Sequence, residues 1–169
     1  MEIKNLSEKR EKALGYLMGR AQRTMAIRFQ KCFDDAGLDI TKEHWILLVN
    51  LWIKDGQNQQ ELANNVFKDK ASITRTLSVM ERKNLLVRVE DNQDRRNKRI
   101  YLTQKGKDLK EVTFPIIWNL HQEALEDIPE EDVETCSRVL TKIYENLALP
   151  KEKTVEGATL ENKTIKENQ

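Results

Sequence analysis

Residues 58–84 read NQQELANNVFKDKASITRTLSVMERKN, and the punctuation of this stretch decides the fold. Asn58 followed three positions on by Glu61 has the form of a capping box, in which each side chain satisfies the other residue's backbone N–H, so a short helix opens there. Asp69 is placed to cap a second helix over KASITRTLSVMERKN, and only Val66, Phe67, Lys68 and Asp69 join the two. Two short helices on so tight a connection predict a helix-turn-helix. In the second helix Ile73, Leu77 and Met80 step by four and three and are expected to face inward. Lys70, Ser72, Thr74, Arg75 and Ser78 are then left outward. Their side chains are small or basic, whereas an ordinary solvated helix face carries opposed Glu–Lys pairs. Small residues let a helix approach a groove closely, Ser and Thr bond phosphates or base edges, and Arg binds a guanine edge bidentately.

After Asn84 the pattern changes to period two. Leu86-Val87-Arg88-Val89 and Arg99-Ile100-Tyr101-Leu102 read as two short strands, with the charged stretch DNQDRRNK between them. A helix-turn-helix followed by a β-hairpin is a winged helix. From Lys68 to Arg99 there are ten basic and five acidic residues, a net charge of +5, although the whole chain carries only +1. The positive charge is therefore gathered on one unit, the pattern expected of a surface that meets phosphate. Arg95, Arg96 and Lys98 stand at or beside the hairpin tip, where arginines can enter a minor groove. Asp91 and Asp94 are poor phosphate contacts and are expected to bond loop amides or to hold the arginines in position. Alone, such a loop reads first as solvated surface charge. Directly after a basic helix-turn-helix, the nucleic-acid reading prevails.

The flanks are helical. Leu14, Leu17, Met18, Ala21, Met25, Phe29 and Cys32 form an apolar stripe over residues 8–36, ended by Ala36 and Gly37, the latter a left-handed cap. Thr41 caps a helix to about Lys54, with Trp45, Leu48, Val49 and Trp52 apolar, and Asp55-Gly56 closes it. Thr103 caps a long helix from Gln104 to about Glu126, with Leu109, Val112, Ile116, Leu120 and Ala124 inward and Pro115 removing one backbone bond. Asp127, with Glu130 three residues on, is expected to open a last helix whose stripe is Val133, Cys136, Val139, Leu140, Ile143 and Leu147. These outer stripes carry more apolar surface than one small winged helix needs. From Pro150 the tail is polar and expected to be disordered.

The composition agrees with a mainly α chain: 6 Gly and 3 Pro in 169 residues, 38% apolar and 34% charged. No stretch has the length of a membrane span, and the first dozen residues lack the apolar core of a signal peptide, so a cytoplasmic setting and no membrane partner are expected. Cys32 and Cys136 have no CxxC partner, and His44 and His121 have no metal-ligand spacing. No metal or cofactor is implied. An enzyme would need a nucleophile–base pair, a metal cluster or a phosphate loop, and the chain has no GxGxxG, GKS/T, HExxH or GxSxG.

DNQDRRNKRIYLTQKG, with DKASITRTLSVMERKNLLVR, QQELANNV and ITKEHWILLVNLW before it, resembles the wing, recognition helix, supporting helix and preceding helix of the MarR family of bacterial transcriptional regulators. FPIIWNLHQEALEDIPEEDVETCSRVLTKIYENL resembles that family's last two helices, so the likeness spans about residues 8–148. It implies a winged helix-turn-helix with a small β-hairpin wing, residues 37–103, flanked by dimerisation helices over 1–36 and 104–149, with the tail 150–169 outside. It further implies a homodimer that grips a pseudo-palindromic double-stranded DNA operator, with Lys70, Ser72, Thr74 and Arg75 reading the major groove and Arg95 and Arg96 the minor groove. The family's wing signature has an arginine where this chain has Gln93, which leaves the minor-groove role to Arg95 or Arg96.

Members of the family commonly release DNA on binding a small molecule, often an aromatic acid. The resemblance thus implies a small aromatic or phenolic effector, with Met18, His44, Trp45 and Trp118, and Trp52 beside them, as candidate linings; read from the residues alone, ordinary core packing is the first role for them. Cys32 and Cys136 lie on apolar stripes and read as structural. The resemblance makes the chain a regulator, in the first instance a repressor, and no enzyme. The rival from another class is a winged-helix protein-interaction module whose basic face docks an acidic partner.

Overall fold

The structure, a computed structural model, describes residues 13–66, 70–91 and 98–148, with Lys70 described by its backbone alone. The described elements are α1 (Leu14–Asp35), α2 (Lys42–Ile53), β1 (Gln57–Asn58), α3 (Gln59–Asn65), α4 (Lys70–Arg82), β2 (Leu86–Glu90), β3 (Lys98–Leu102), α5 (Gln104–Ala124) and α6 (Glu130–Leu147). The described residues up to Asp127 and those from Ile128 on form two separate compact units, so α6 is treated by itself. The expected Asp69 cap, the start of the first helix before residue 13 and the tail 150–169 lie outside the described residues.

The local signals of the sequence set the ends of the elements. Thr41 Oγ1 accepts from the His44 N–H, and His44 Nδ1 accepts from the Thr41 N–H at 3.1 Å, a reciprocal cap for α2. Asn58 and Glu61 close the capping box of α3 at 2.9 and 2.7 Å. Gly37 and Gly56 take left-handed φ values of 66° and 73° at the ends of α1 and α2. Thr103 caps α5 by accepting from the Gly106 N–H at 3.1 Å, and Pro115 lies inside that helix without ending it.

The sheet has three strands in the order β1-β3-β2, all antiparallel, where the period-two signal gave two. β2 pairs with β3 from Leu86 opposite Leu102 to Glu90 opposite Lys98. β1 adds Gln57 opposite Ile100 and Asn58 opposite Arg99. The buried Gln57 amide also donates to the carbonyls of Asn50 and Lys54 at 2.9 and 2.7 Å, satisfying the otherwise orphaned end of α2.

One core joins Leu47, Leu48 and Leu51 of α2, Leu62 and Ala63 of α3, Ile73, Leu77 and Met80 of α4, and Leu86, Ile100 and Leu102 of the sheet. The buried face of α2 is thus centred on its leucines. Trp45, Val49 and Trp52, expected at the centre of that face together with Leu48, are half-buried at its margins. The reason is polar: an indole N–H needs an acceptor. Trp45 donates to Thr113 Oγ1 at 3.1 Å and Trp52 to the Gly106 carbonyl at 3.0 Å, so both tryptophans tie α2 to α5. α1 joins through Phe29 and Phe33, and Arg28 holds Glu123 of α5 with both carboxylate oxygens.

Two further expectations are corrected. Asp127 does not cap the last helix; it takes a left-handed φ of 60°, and α6 begins after Pro129 without a side-chain cap. Glu130, Glu131 and Asp132 in its first turn complement the helix dipole instead. Val112 of α5 is exposed, and the inward position beside it belongs to Thr113, which is fully buried.

Candidate nucleic-acid interface

α4 follows α3 in the chain, packs its apolar side into the core and leads through a tight turn into β2. Asn84, at a left-handed φ of 57°, makes that turn, and the Leu85 N–H returns to the Met80 carbonyl at 3.0 Å. Ile73, Leu77 and Met80 are buried as the spacing required, so the opposite side of α4 is presented outward. Thr74 and Arg75 are exposed there, while Ser72 and Ser78 are half-buried at its edges. The Lys70 side chain lies outside the described residues.

The polar side chains of α4 are held by neighbours. Gln59, at the start of α3, donates to Thr74 Oγ1. Ser78 donates to the Thr74 carbonyl at 2.9 Å and accepts from Arg88 of β2 at 3.0 Å. At the other end of α4, Lys83 binds the carboxylate and the carbonyl of Asp39. The Lys83 ammonium holds the Asp39 carboxyl below the usual carboxylate range.

The base of the wing is pinned in the way the sequence suggested for its acids. Asp91, nearly buried, accepts from Arg99 Nε at 2.7 Å, and Arg99 also donates to the Gly56 carbonyl at 3.0 Å. Arg99 is therefore a structural residue that locks β3 to the turn before β1, and Asp91 holds it there. Lys98 is exposed at the start of β3. Arg95, Arg96 and Asp94 lie outside the described residues. Thr74, Arg75 and Lys98 thus remain the outward-facing polar set, with Ser72 and Ser78 at the margin.

Of the four residues named for an effector pocket, Trp118 lines a hollow among the described residues, and the other three are placed differently. His44 is buried and spends Nδ1 on the α2 cap; burial first, then the charge of Lys83, push its pKa below the usual histidine value. Trp45 packs edge-on against Phe29, with ring centroids 5.3 Å apart. Met18 is exposed on α1. Trp118 is exposed on α5 and lines an open hollow with Lys110, Glu111, Phe114, Pro115 and Asn119. Lys110 places its ammonium 5.9 Å from the centre of the Phe114 ring, a cation beside an aromatic surface that the sequence did not single out. Its signal was the i, i+4 pairs Lys110–Phe114 and Phe114–Trp118.

Among the described residues no group of His, Cys, Asp and Glu is placed to hold a metal, and no helix is long and apolar enough to cross a membrane. Cys32 is half-buried against the core. Cys136, expected on a covered stripe, is exposed on α6.

Two short helices, a hairpin with a third strand at its side and an outward basic helix make this a winged helix-turn-helix protein. Residues 40–98, which run from just before α2 to the start of β3, match the model of the MarR family. That family is one of transcriptional regulators rather than of enzymes. Solved structures share the fold. A mutant MarR from E. coli complexed with operator DNA superposes with a TM-score of 0.73 at 22% identity, covering 77% of this chain and 92% of that one. BpsR of Bordetella bronchiseptica, whose DNA binding is regulated by 6-hydroxynicotinic acid, gives 0.73 at 20% identity over 79% and 94% of the two chains. CouR of Rhodococcus jostii bound to p-coumaroyl-CoA gives 0.70 at 22% identity over 83% and 97%.

Proposed function

We propose that this chain is a sequence-specific double-stranded DNA-binding transcriptional regulator, a repressor that grips a pseudo-palindromic operator as a homodimer in the cytoplasm. The observation that carries the reading is α4. Its apolar side is sunk in the core, its Thr74 and Arg75 stand outward, and the wing rises from the turn that follows it. The family match and the likeness to a MarR held on operator DNA support the same reading.

In this account Lys70, Ser72, Thr74 and Arg75 meet the major groove, Ser78 stands behind them, and Arg95, Arg96 and Lys98 serve the wing. Residues 37–103 are the DNA-binding unit, and 1–36 with 104–149 are the dimerisation region. Leu14, Leu17 and Met18 on α1, and Val139, Leu140, Tyr144 and Leu147 on α6, are exposed in the single chain. Apolar stripes of that length on helices are surfaces that a second copy covers. A small aromatic or phenolic molecule is the effector that releases DNA, a role supported by 6-hydroxynicotinic acid as the regulator of BpsR and, for the phenolic group, by the p-coumaroyl thioester bound to CouR. The aromatic hollow of Trp118 and Phe114, with Lys110 at its side, suits such a molecule better than the buried His44.

Selection of duplexes from a random pool by the full chain tests the reading. An enriched sequence with two-fold symmetry, its half-sites about one helical turn apart, is the expected outcome. A pool that stays random after repeated rounds overturns it.

A further inference from the structure

The outward polar residues of α4 are not equivalent. Ser78 commits its one hydroxyl proton to the Thr74 carbonyl at 2.9 Å and receives Arg88 Nη2 at 3.0 Å. The same Nη2 lies 3.4 Å from the Thr74 carbonyl, and Nη1 lies 3.2 Å from Glu81 Oε2. Arg88 belongs to β2, where Val87 and Val89 on either side point away and are exposed. Its side chain is only 20% exposed, and its Nε is buried without an acceptor among the described residues. A guanidinium placed to meet phosphate keeps its fork in solvent. This one is drawn back under the wing and spans more than one turn of α4, from Thr74 to Glu81.

The core fixes how deeply α4 sits, because Ile73, Leu77 and Met80 are buried. Apolar contacts are non-directional, however, and leave the rotation of a helix about its own axis loosely set. A planar fork bonded to a hydroxyl, a carbonyl and a carboxylate on successive turns is directional. Gln59 of α3 holds Thr74 Oγ1. Groove recognition needs side chains placed to within about 0.5 Å, so the orientation of α4 relative to the wing has a direct functional consequence.

We propose that Arg88 is a positioning residue for DNA recognition. It sets α4 against the wing through Ser78, the Thr74 carbonyl and Glu81 without touching DNA, and Ser78 serves as its acceptor rather than as a contact to a base. This rests on the DNA-binding reading above, which the selection tests first and separately: a wild-type chain that enriches no sequence overturns both before any variant is made.

With an enriched duplex in hand, Arg88→Met, Arg88→Lys, Ser78→Ala and the double variant Arg88→Met with Ser78→Ala are compared on it and on a scrambled duplex. The full chain is used over a series of salt concentrations. Arg88→Met and Ser78→Ala should each lower the preference for the enriched duplex roughly tenfold, the size of a lost charge-assisted bond. The double variant should lose no more than Arg88→Met, because both remove one linkage. The slope of log K against log salt should stay at its wild-type value, and Arg88→Lys should recover only part of the preference. A slope reduced by about one in Arg88→Met places the guanidinium on phosphate and overturns the proposal. So do undiminished preference in either single variant and losses that simply add. If Arg88→Met fails to fold, as a melting curve would show, Arg88→Gln, which also removes the charge, takes its place in the cycle with the same criteria.

Discussion

Replacing Gly106 by Ala sets helix propensity against packing, and the structure decides the sign. Gly106 lies in the first turn of α5, where Ala is intrinsically better than Gly by about 1 kcal/mol. A Cβ built at this position lies 2.1 Å from the Leu85 carbonyl oxygen and 3.2 Å from Leu102 Cδ2. Carbon–oxygen contacts ordinarily begin near ~3.3 Å, so α5 must retreat from the α4–β2 turn by about 1 Å. The obstructing atom is backbone and cannot rotate away. That oxygen also accepts the Thr103 N–H at 3.1 Å, and the Gly106 carbonyl accepts the Trp52 indole at 3.0 Å, so the retreat strains both bonds. Overpacking of this kind costs about 1–3 kcal/mol, and each bond lost adds about 1 kcal/mol. After the propensity gain, the net expectation is a loss of about 2–4 kcal/mol, roughly 10 °C in Tm. Urea and thermal unfolding followed by circular dichroism measure it. A Gly106→Ala chain as stable as wild type, or more stable, would refute the packing argument and leave propensity the stronger effect.

Other consequences follow from single contacts. Thr113→Val keeps the shape of a fully buried side chain but removes the acceptor of the Trp45 indole, and should cost about 1–3 kcal/mol in urea unfolding; a neutral effect would mean the indole finds another partner. Protonation of His44 breaks the α2 cap at Nδ1, and its folded pKa lies below the value of 6.5 that it has when unfolded. Between those two values the unfolded chain binds the extra proton, so stability should be at its full value above pH 6.5 and decline as the pH falls below it. His44→Gln should flatten that part of the pH–stability curve, and an unchanged decline would assign it to other groups. Arg75→Ala should relax the choice of duplex by roughly 1–3 kcal/mol, measured as the ratio of affinities for enriched and scrambled DNA; equal loss on both would mean that Arg75 touches phosphate alone.

The winged helix was legible because its boundaries are written in local chemistry. Thr41, Asn58, Glu61 and Thr103 cap where the sequence places them, and Gly37 and Gly56 take the left-handed turns. The inward set Ile73, Leu77 and Met80 followed from spacing alone. What escaped has physical reasons. β1 is two residues long, too short to show a period, and exists because Gln57 closes the end of α2 while pairing with Ile100. Thr113 reads as surface in a sequence, yet it is buried as the acceptor of Trp45, a partner 68 residues away. Arg88 counted as one more basic residue of a DNA-facing unit, because a charge says nothing of which way its strand points it. The stripe on α1 was read as one continuous face, but only Phe29 and Phe33 of that helix are buried, and Leu14, Leu17 and Met18 are exposed. For the site, Thr74 and Arg75 are outward as expected, whereas the residues named for the effector are spread over α1, α2 and α5, and of them Trp118 alone lines the open hollow on α5.

The most direct test of the central claim is fluorescence-polarisation binding of the full chain to the selected duplex and to its scrambled counterpart at two salt concentrations. The account predicts tight binding that weakens steeply with salt and keeps a large preference for the selected duplex at both concentrations. Equal affinity for the two duplexes, or affinity indifferent to salt, would contradict it and turn the basic face toward an acidic protein partner.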